Sequence, residues 1–172
     1  MSTTFRLVSA ALLVALTLAP LGAQSDGFTP LLDGKTLDGW RGYKKADTAE
    51  TRWKVENGIL TIPANDGKDT RGHRDIITTA TYDQFDLRWD WKVAPGGNSG
   101  LKYLVLEDLP SAIGHEYQMI DDARHADAKI GSHRQTAAFY DVFPAADRPI
   151  KPAGEWNSSQ VIVKGNLSLI HI

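Results

Sequence analysis

The plainest pattern in the chain lies at residues 85–93. Phe85, Leu87, Trp89, Trp91 and Val93 alternate with Asp86, Arg88, Asp90 and Lys92. Period-two alternation of this kind gives a strand one buried and one wet face, and it predicts a strand over 82–93. A hairpin is predicted upstream. Asn57-Gly58 is the preferred pair for a two-residue type I′ turn, because both residues tolerate positive φ. Closing the turn there sets Glu56 against Ile59, Val55 against Leu60 and Trp53 against Ile62. Trp53, Val55, Leu60 and Ile62 then share one core-facing side. Pro95-Gly96-Gly97-Asn98 reads as a turn. Further strands are expected at 76–79, 99–106, 115–121, 136–143 and 156–164. No stretch carries a 3.6-residue apolar period, and residues 121–129 read as either one helical turn or a loop. Short strands punctuated by turn residues, without βαβ alternation, predict a single all-β sandwich or barrel.

The two ends read differently from the middle. Arg6 precedes an apolar run from Leu7 to Leu18, and Ala19-Pro20-Leu21-Gly22-Ala23 offers a small-residue cleavage site. The run is shorter than the ~20 residues of a spanning helix. Residues 1–23 are therefore expected to be a secretory signal peptide. The product is expected to be exported, periplasmic or extracellular, and free of the membrane after cleavage. Near the other end, Val161-Ile162-Val163-Lys164-Gly165-Asn166 predicts a strand entering a turn. Leu167-Ser168-Leu169-Ile170-His171-Ile172 reads as a non-native tail, too short to complete a hairpin and then a sheet. The domain, residues 24–166, is then expected to be C-terminally truncated, and inactive or unstable unless its missing strands are restored.

Composition narrows the chemistry. The chain has 172 residues, 19 Lys+Arg against 21 Asp+Glu, and a net charge of −2. That balance gives no electrostatic footing for nucleic acid, whose binding rests on clustered Lys and Arg. There are no cysteines. Disulfides, thiolate metal sites, cysteine nucleophiles and lipid-bearing cysteines are all excluded.

Six segments taken in order resemble one family. They are Phe28-Thr29-Pro30-Leu31-Leu32-Asp33-Gly34-Lys35-Thr36-Leu37-Asp38-Gly39-Trp40; Trp53-Lys54-Val55-Glu56-Asn57-Gly58; Gly96-Gly97-Asn98-Ser99-Gly100-Leu101-Lys102-Tyr103; Glu116-Tyr117-Gln118-Met119-Ile120-Asp121; Phe139-Tyr140-Asp141; and Lys151-Pro152-Ala153-Gly154-Glu155-Trp156-Asn157. Together they resemble the 3-keto-disaccharide hydrolase family, also described as a 3-keto-glucoside 1,2-lyase and 3-keto-2-hydroxy-glucal hydratase domain. The resemblance covers about residues 28–166. It implies a concanavalin-A-like jelly roll of two antiparallel sheets, with sugar on the concave side. The family pattern would continue after Asn166 with a strand carrying a His and then a Leu-Asn-Gly turn, which this chain lacks.

The resemblance also implies a reaction. A ketone at C3 of a glycoside acidifies the hydrogen at C2, so a base can remove it. The enolate expels the group at C1, and water adds back across the resulting alkene. Such a site needs a base near C2, a partner for the enolate oxygen and an acid for the aglycone oxygen. It does not need the paired carboxylates of ordinary glycosidases. A divalent metal ion is one way to stabilise the enolate, and the residues do not decide whether one is used.

Candidate residues follow from strand phase and from the matching segments. In a strand over 115–121, Glu116, Gln118 and Ile120 point one way and His115, Tyr117, Met119 and Asp121 the other. The match to Glu-Tyr-Gln implies Glu116 as base or metal ligand and Gln118 as a hydroxyl or ligand partner. The alternative for Glu116 is a simple ion pair across the sheet. Asp121 and Asp122 end the strand, either at the site or as turn-formers. His73, His115, His125 and His133 can each serve as base or ligand; His133 lies in the loop before Tyr140 and is taken as the third catalytic candidate. Tyr140 can donate to the enolate or the aglycone oxygen, or belong to the core. Ala137-Ala138-Phe139 stand where the family more often has Gly-Ala/Ser-Leu. Asn98 and Lys102 are candidates for sugar contact, as is Trp156. For Asn98 and Ser99 the competing reading is a tight bend permitted by Gly96, Gly97 and Gly100. Trp53, Trp89 and Trp91 occupy buried phases and are expected in the core.

Two further functions compete. The same sandwich can hold a small sugar or oligosaccharide as a non-catalytic binding module, in which case exposed aromatics should line its concave face. A laminarinase-like glucanase is disfavoured, because no Glu-x-Asp-x-x-Glu run occurs.

Overall fold

The computed structural model describes residues 27–64 and 75–171. The chain divides into two compact units, Met1–Pro30 and Leu31–Ile172. The described part of the first is 27–30, and the second carries every element below. Residues 1–23, the expected signal peptide, lie outside the described residues, as does His73.

Among the described residues nine strands run in chain order: β1 Trp40–Gly42, β2 Lys54–Glu56, β3 Ile59–Thr61, β4 Ile76–Thr78, β5 Phe85–Trp91, β6 Asn98–Tyr103, β7 His115–Ile120, β8 Asn157–Lys164 and β9 Leu167–His171. Among the described residues the only helical pieces are 3-10 turns at Asp127–Lys129 and Ser132–Arg134. None is long and apolar enough to cross a membrane. Every ladder is antiparallel, in sheets ordered β1-β4, β2-β3, β5-β8-β9 and β6-β7. The all-β expectation holds.

The core forms where the apolar faces of β5-β8-β9 and β6-β7 meet. Trp91, Tyr103, Tyr117, Val161 and Val163 are buried there, with Phe85, Trp89, Leu101, Met119 and Ile170 packed against them. The Tyr117 ring stands edge-on to Trp89, with centroids 4.9 Å apart, and to Trp91 at 6.5 Å. Edge-to-face packing suits rings whose edges are positive and faces negative. The polar tips of the aromatics would be costly to bury unpaired, and Ser159 answers two of them. Trp91 Nε1 donates to Ser159 Oγ at 2.8 Å, and Tyr117 Oη lies 2.7 Å from the same oxygen. Tyr103 Oη sits 2.8 Å from Ser168 Oγ, joining β6 to β9.

The β2-β3 hairpin turns at Asn57 and Gly58, with φ 52° and 80°, in the predicted register of Glu56 with Ile59 and Val55 with Leu60. Trp53 and Ile62 lie just beyond its ladder, and this face is half-buried rather than core. β5 is shorter than the predicted 82–93 but alternates as expected, its wet face with its more buried one.

Three expectations are corrected. Residues 136–143 do not form a strand: they make only the bridges Tyr117↔Phe139 and Phe139↔Phe143. Ala137 and Asp141 adopt φ of 64° and 61°, and a left-handed residue at each end breaks an extended run. The six residues 167–172 are not too short to complete a hairpin. The chain turns at Gly165, φ 58°, and Leu167–His171 pairs with β8 from Lys164↔Leu167 to Gln160↔His171. Finally, Asn98 and Ser99 belong to β6 rather than to the turn, which lies before them: Gly97 donates to Ala94 O at 2.8 Å, and Gly96 has φ 73°.

Ser159→Ala removes the partner of two buried aromatic groups at once. It should cost about 1–3 kcal/mol of unfolding free energy, read from urea denaturation at pH 7. Ser158→Ala, which loses only a bond to the exposed Asp90 carboxylate, should cost much less.

Candidate functional site

Strand phase places the site. On β7, His115, Tyr117 and Met119 face the core side, so Glu116, Gln118 and Ile120 face away from it. Their β6 partners are Lys102, Gly100 and Asn98. The segment after Thr136 forms a third row beside β7. Ala137 N donates to Gln118 O, Gln118 N to Ala138 O and Tyr140 N to Glu116 O. With Phe139 opposite Tyr117, Ala138 and Tyr140 lie on the same face as Glu116.

A loop over residues 121–136 roofs one half of this face. Asp121 Oδ2 accepts from Gly96 N at 2.7 Å, and Asp122 Oδ1 accepts from Thr136 N at 2.8 Å. Arg148 ties the roof down, donating to Asp122 Oδ2 at 2.6 Å and to Gln135 Oε1 at 2.7 Å. Beneath the roof Gln118 is 1% exposed. Beside it, the Glu116 side chain keeps 21% exposure. Glu116 is thus at the border between shelter and water.

A charged cluster gathers next to Glu116. Lys102 Nζ lies 4.0 Å from Glu116 Oε2 and 3.8 Å from Asp75 Oδ2. Arg134 Nη1 donates to Asp127 Oδ1 at 2.8 Å, and its Nε and Nη2 grip Asp141 at 2.8 and 3.1 Å. The Tyr140 hydroxyl donates to Asp127 Oδ2 at 2.9 Å, with the Arg134 guanidinium 5.6 Å from the Tyr140 ring centroid. His133 Nε2 lies 3.4 Å from Asp141 Oδ1. His125 Nδ1 accepts from Asp127 N at 3.1 Å, so its lone pair is engaged with the backbone.

The two carboxylates are driven in opposite directions. Burial raises Glu116 above the ordinary glutamate value; Lys102 opposes this, while Asp75 and Asp127 add to it. Burial also pushes Asp127 upward, but hydrogen bonds from Arg134 and Tyr140 outweigh it and hold Asp127 below the usual aspartate value. Burial and the neighbouring Asp127 raise the Tyr140 phenol, which stays protonated at neutral pH. A carboxylate made more basic, beside a phenol held neutral and a fixed cation, can remove a proton and deliver one.

The structure therefore brings Glu116, Tyr140, His133 and Lys102 into one neighbourhood. It does not bring the remaining candidates there as sugar contacts. Gln118 is sealed under the roof: its Nε2 reaches Arg134 O at 3.5 Å, and its Oε1 has no partner among the described residues. Asp122 is spent on Arg148 and Thr136, which makes it a tether of the roof. Trp156 leads into β8, on the other sheet, where Lys92 Nζ lies 5.0 Å from its ring centroid. Asn98 shares the Glu116 face but opposes Ile120, at the far end of its strand from Lys102. His115 packs between Tyr103 and Phe139, with ring centroids at 5.4 and 5.1 Å. Asp127, Arg134 and Asp75 went unnoticed in the sequence, where a loop aspartate or arginine looks like any solvated residue. Among the described residues no group of three or more His, Asp or Glu side chains is gathered to hold a metal ion.

Known proteins add the family context. The model of the 3-keto-alpha-glucoside-1,2-lyase-like domain matches residues 27–171. A curated relative from Bacteroides thetaiotaomicron, named 3-keto-disaccharide hydrolase, is 36% identical over 159 residues, covering 83% of this chain and 54% of its own length. The chain thus spans about half the length of that relative. A crystal structure of a Parabacteroides distasonis protein, provisionally named a glycosyl hydrolase, superimposes with a TM-score of 0.70 at 30% identity, covering 83% of this chain and 67% of the other. A second protein of that organism, named in the same way, has a TM-score of 0.55 at 22% identity, with 76% and 66% covered, and bears on the fold alone. With all of the described residues inside the matched region, the chain belongs to the 3-keto-alpha-glucoside-1,2-lyase-like, or 3-keto-disaccharide hydrolase, family.

Proposed function

We propose that this protein is an exported enzyme that cleaves 3-keto-glycosides by elimination and rehydration, on a sandwich of the concanavalin-A-like jelly-roll type. The observation that carries the reading is the Glu116 carboxylate: half-sheltered, made more basic by burial, and flanked by the Lys102 ammonium. Family membership supports the substrate class.

Glu116 takes the C2 hydrogen as a proton. The C–H electrons form the C1–C2 double bond by way of the enolate, and the C1–O bond breaks toward the aglycone. Lys102 supplies positive charge where the enolate oxygen develops. Tyr140 rotates its one hydroxyl proton from Asp127, which Arg134 fixes, onto the departing aglycone oxygen. Water then adds hydroxide to C1 while Glu116 returns its proton to C2, and the proton released by the water restores Tyr140, so the sum is hydrolysis. His133, half-exposed beside Asp141, exchanges the water proton.

The full-length protein should consume 3-keto-trehalose or 3-keto-sucrose and leave the unoxidised sugars untouched, assayed with and without added divalent cation. Glu116→Gln should lower kcat/KM by about 10²–10⁴-fold, the span of a lost general base. His133→Ala should also lower it. Binding without turnover on every 3-keto-glycoside would make the domain a sugar-binding module instead.

The pH profile follows from the charges around Glu116. The base must be unprotonated, so the acid limb of kcat/KM tracks its pKa, above that of a free glutamate. Lys102 favours the carboxylate, so Lys102→Met should move that limb to higher pH. Asp127 disfavours it, so Asp127→Asn should move the limb to lower pH. Export is tested separately: N-terminal sequencing of the secreted protein should begin at Gln24.

A further inference from the structure

Most glycines of this fold answer to the backbone. Gly96 takes a left-handed φ of 73°. A Cβ on Gly97 would lie 2.9 Å from the Ala94 carbonyl oxygen. Gly100 and Gly131 are different. Gly100 lies inside β6, where glycine weakens a strand and marks a close approach. Its φ is not left-handed, and Gly131 has φ 171° and ψ 167°, an extended conformation open to any residue. Backbone geometry therefore does not explain either one.

What occupies the missing Cβ positions does. The three atoms nearest a Cβ on Gly100 all belong to Glu116: Cδ at 2.8 Å, Cγ at 2.9 Å and Oε1 closer still. The Glu116 side chain lies flat across β6 in the space a methyl group would fill. A Cβ on Gly131 would lie 2.6 Å from Cε1 and 2.8 Å from Nδ1 of His133. We propose that Gly100 and Gly131 are positioning residues, each leaving open the volume in which a functional side chain, Glu116 or His133, is seated. Gly100 keeps the carboxylate down on the sheet beside Lys102. Gly131 lets the imidazole fold back, leaving its Nε2 beside Asp141.

The test uses the whole chain, with Gly97→Ala as the backbone control. Thermal midpoints, the pH titration of the Glu116 carboxyl ¹³C resonance and the His133 Hε1 shift are compared across Gly100→Ala, Gly131→Ala and the control. Gly97→Ala should lose stability. Gly100→Ala should keep its thermal midpoint while the Glu116 titration moves down toward that of a free glutamate, as the carboxylate swings into water. Gly131→Ala should move the His133 resonance and leave the Glu116 titration in place. An unmoved Glu116 titration overturns the role of Gly100, and an unmoved His133 resonance that of Gly131. If Gly100→Ala does not fold, the double variant with Glu116→Ala decides. Recovered folding supports the cradle, and continued failure overturns it.

None of these readouts needs substrate. The catalytic part rests on the reading of Glu116 as base: kcat/KM for 3-keto-trehalose should fall about 100-fold in Gly100→Ala, through kcat rather than KM. A wild-type chain without turnover would defeat that reading while leaving the cradle to stand or fall on the resonances.

Discussion

The site depends on how Tyr117 is held. Its ring stands edge-on to two tryptophans, and its hydroxyl shares Ser159 with Trp91, so β7 is pinned to the opposite sheet at its centre. Tyr117 is 0% exposed. Because successive side chains of a strand point to opposite faces, fixing Tyr117 inward fixes Glu116 and Gln118 outward. A slip of one residue would bury a carboxylate among aromatic rings and expose the tyrosine, which packing strongly opposes. The chemistry on one side of β7 is thus registered by the core on the other.

The second constraint is the roof. Its residues make almost no regular structure, and buried backbone there must find partners outside any ladder. Side chains supply them: Asp121 caps Gly96, Asp122 caps Thr136, and Thr136 Oγ1 donates to Ile120 O at 2.8 Å. Asp127, Arg134 and Asp141 knit the outer part. Arg134 is central because a guanidinium can serve two carboxylates with fixed geometry. Holding Asp127 anionic also makes it an acceptor for Tyr140 and a repulsive neighbour for Glu116. One residue thereby orients the phenol and makes the glutamate more basic.

Much of this could be read in the chain, and the failures have physical causes. Period-two alternation located β5 and the phase of β7, and the Asn-Gly pair located the β2-β3 turn to the residue. Glu116 stood out because strand phase and its matching segment agreed on it, and Tyr140 through its matching segment alone. Residues 136–143 misled because their composition suits a strand, while the break comes from left-handed conformations at Ala137 and Asp141 that neither residue advertises. Gln118 misled because phase says which face a side chain takes, not whether a loop covers it. Asp127 and Arg134 matter through tertiary partners alone, and no local pattern marks such residues. Residues 167–171 pair because the strand before them offers an open edge, which their own short sequence does not reveal.

The pairing of β5 with β8 has a consequence for how the molecule comes into being. Trp91 and Ser159, joined by a hydrogen bond, are separated by 68 residues. Contacts so distant in the chain are slow to form, because a long loop must close before they reward it. The tryptophan-rich face of β5 therefore waits until β8 has emerged from the ribosome. A nascent chain that stays open this long has its greatest exposure to chaperones and proteases in the interval before β8 arrives.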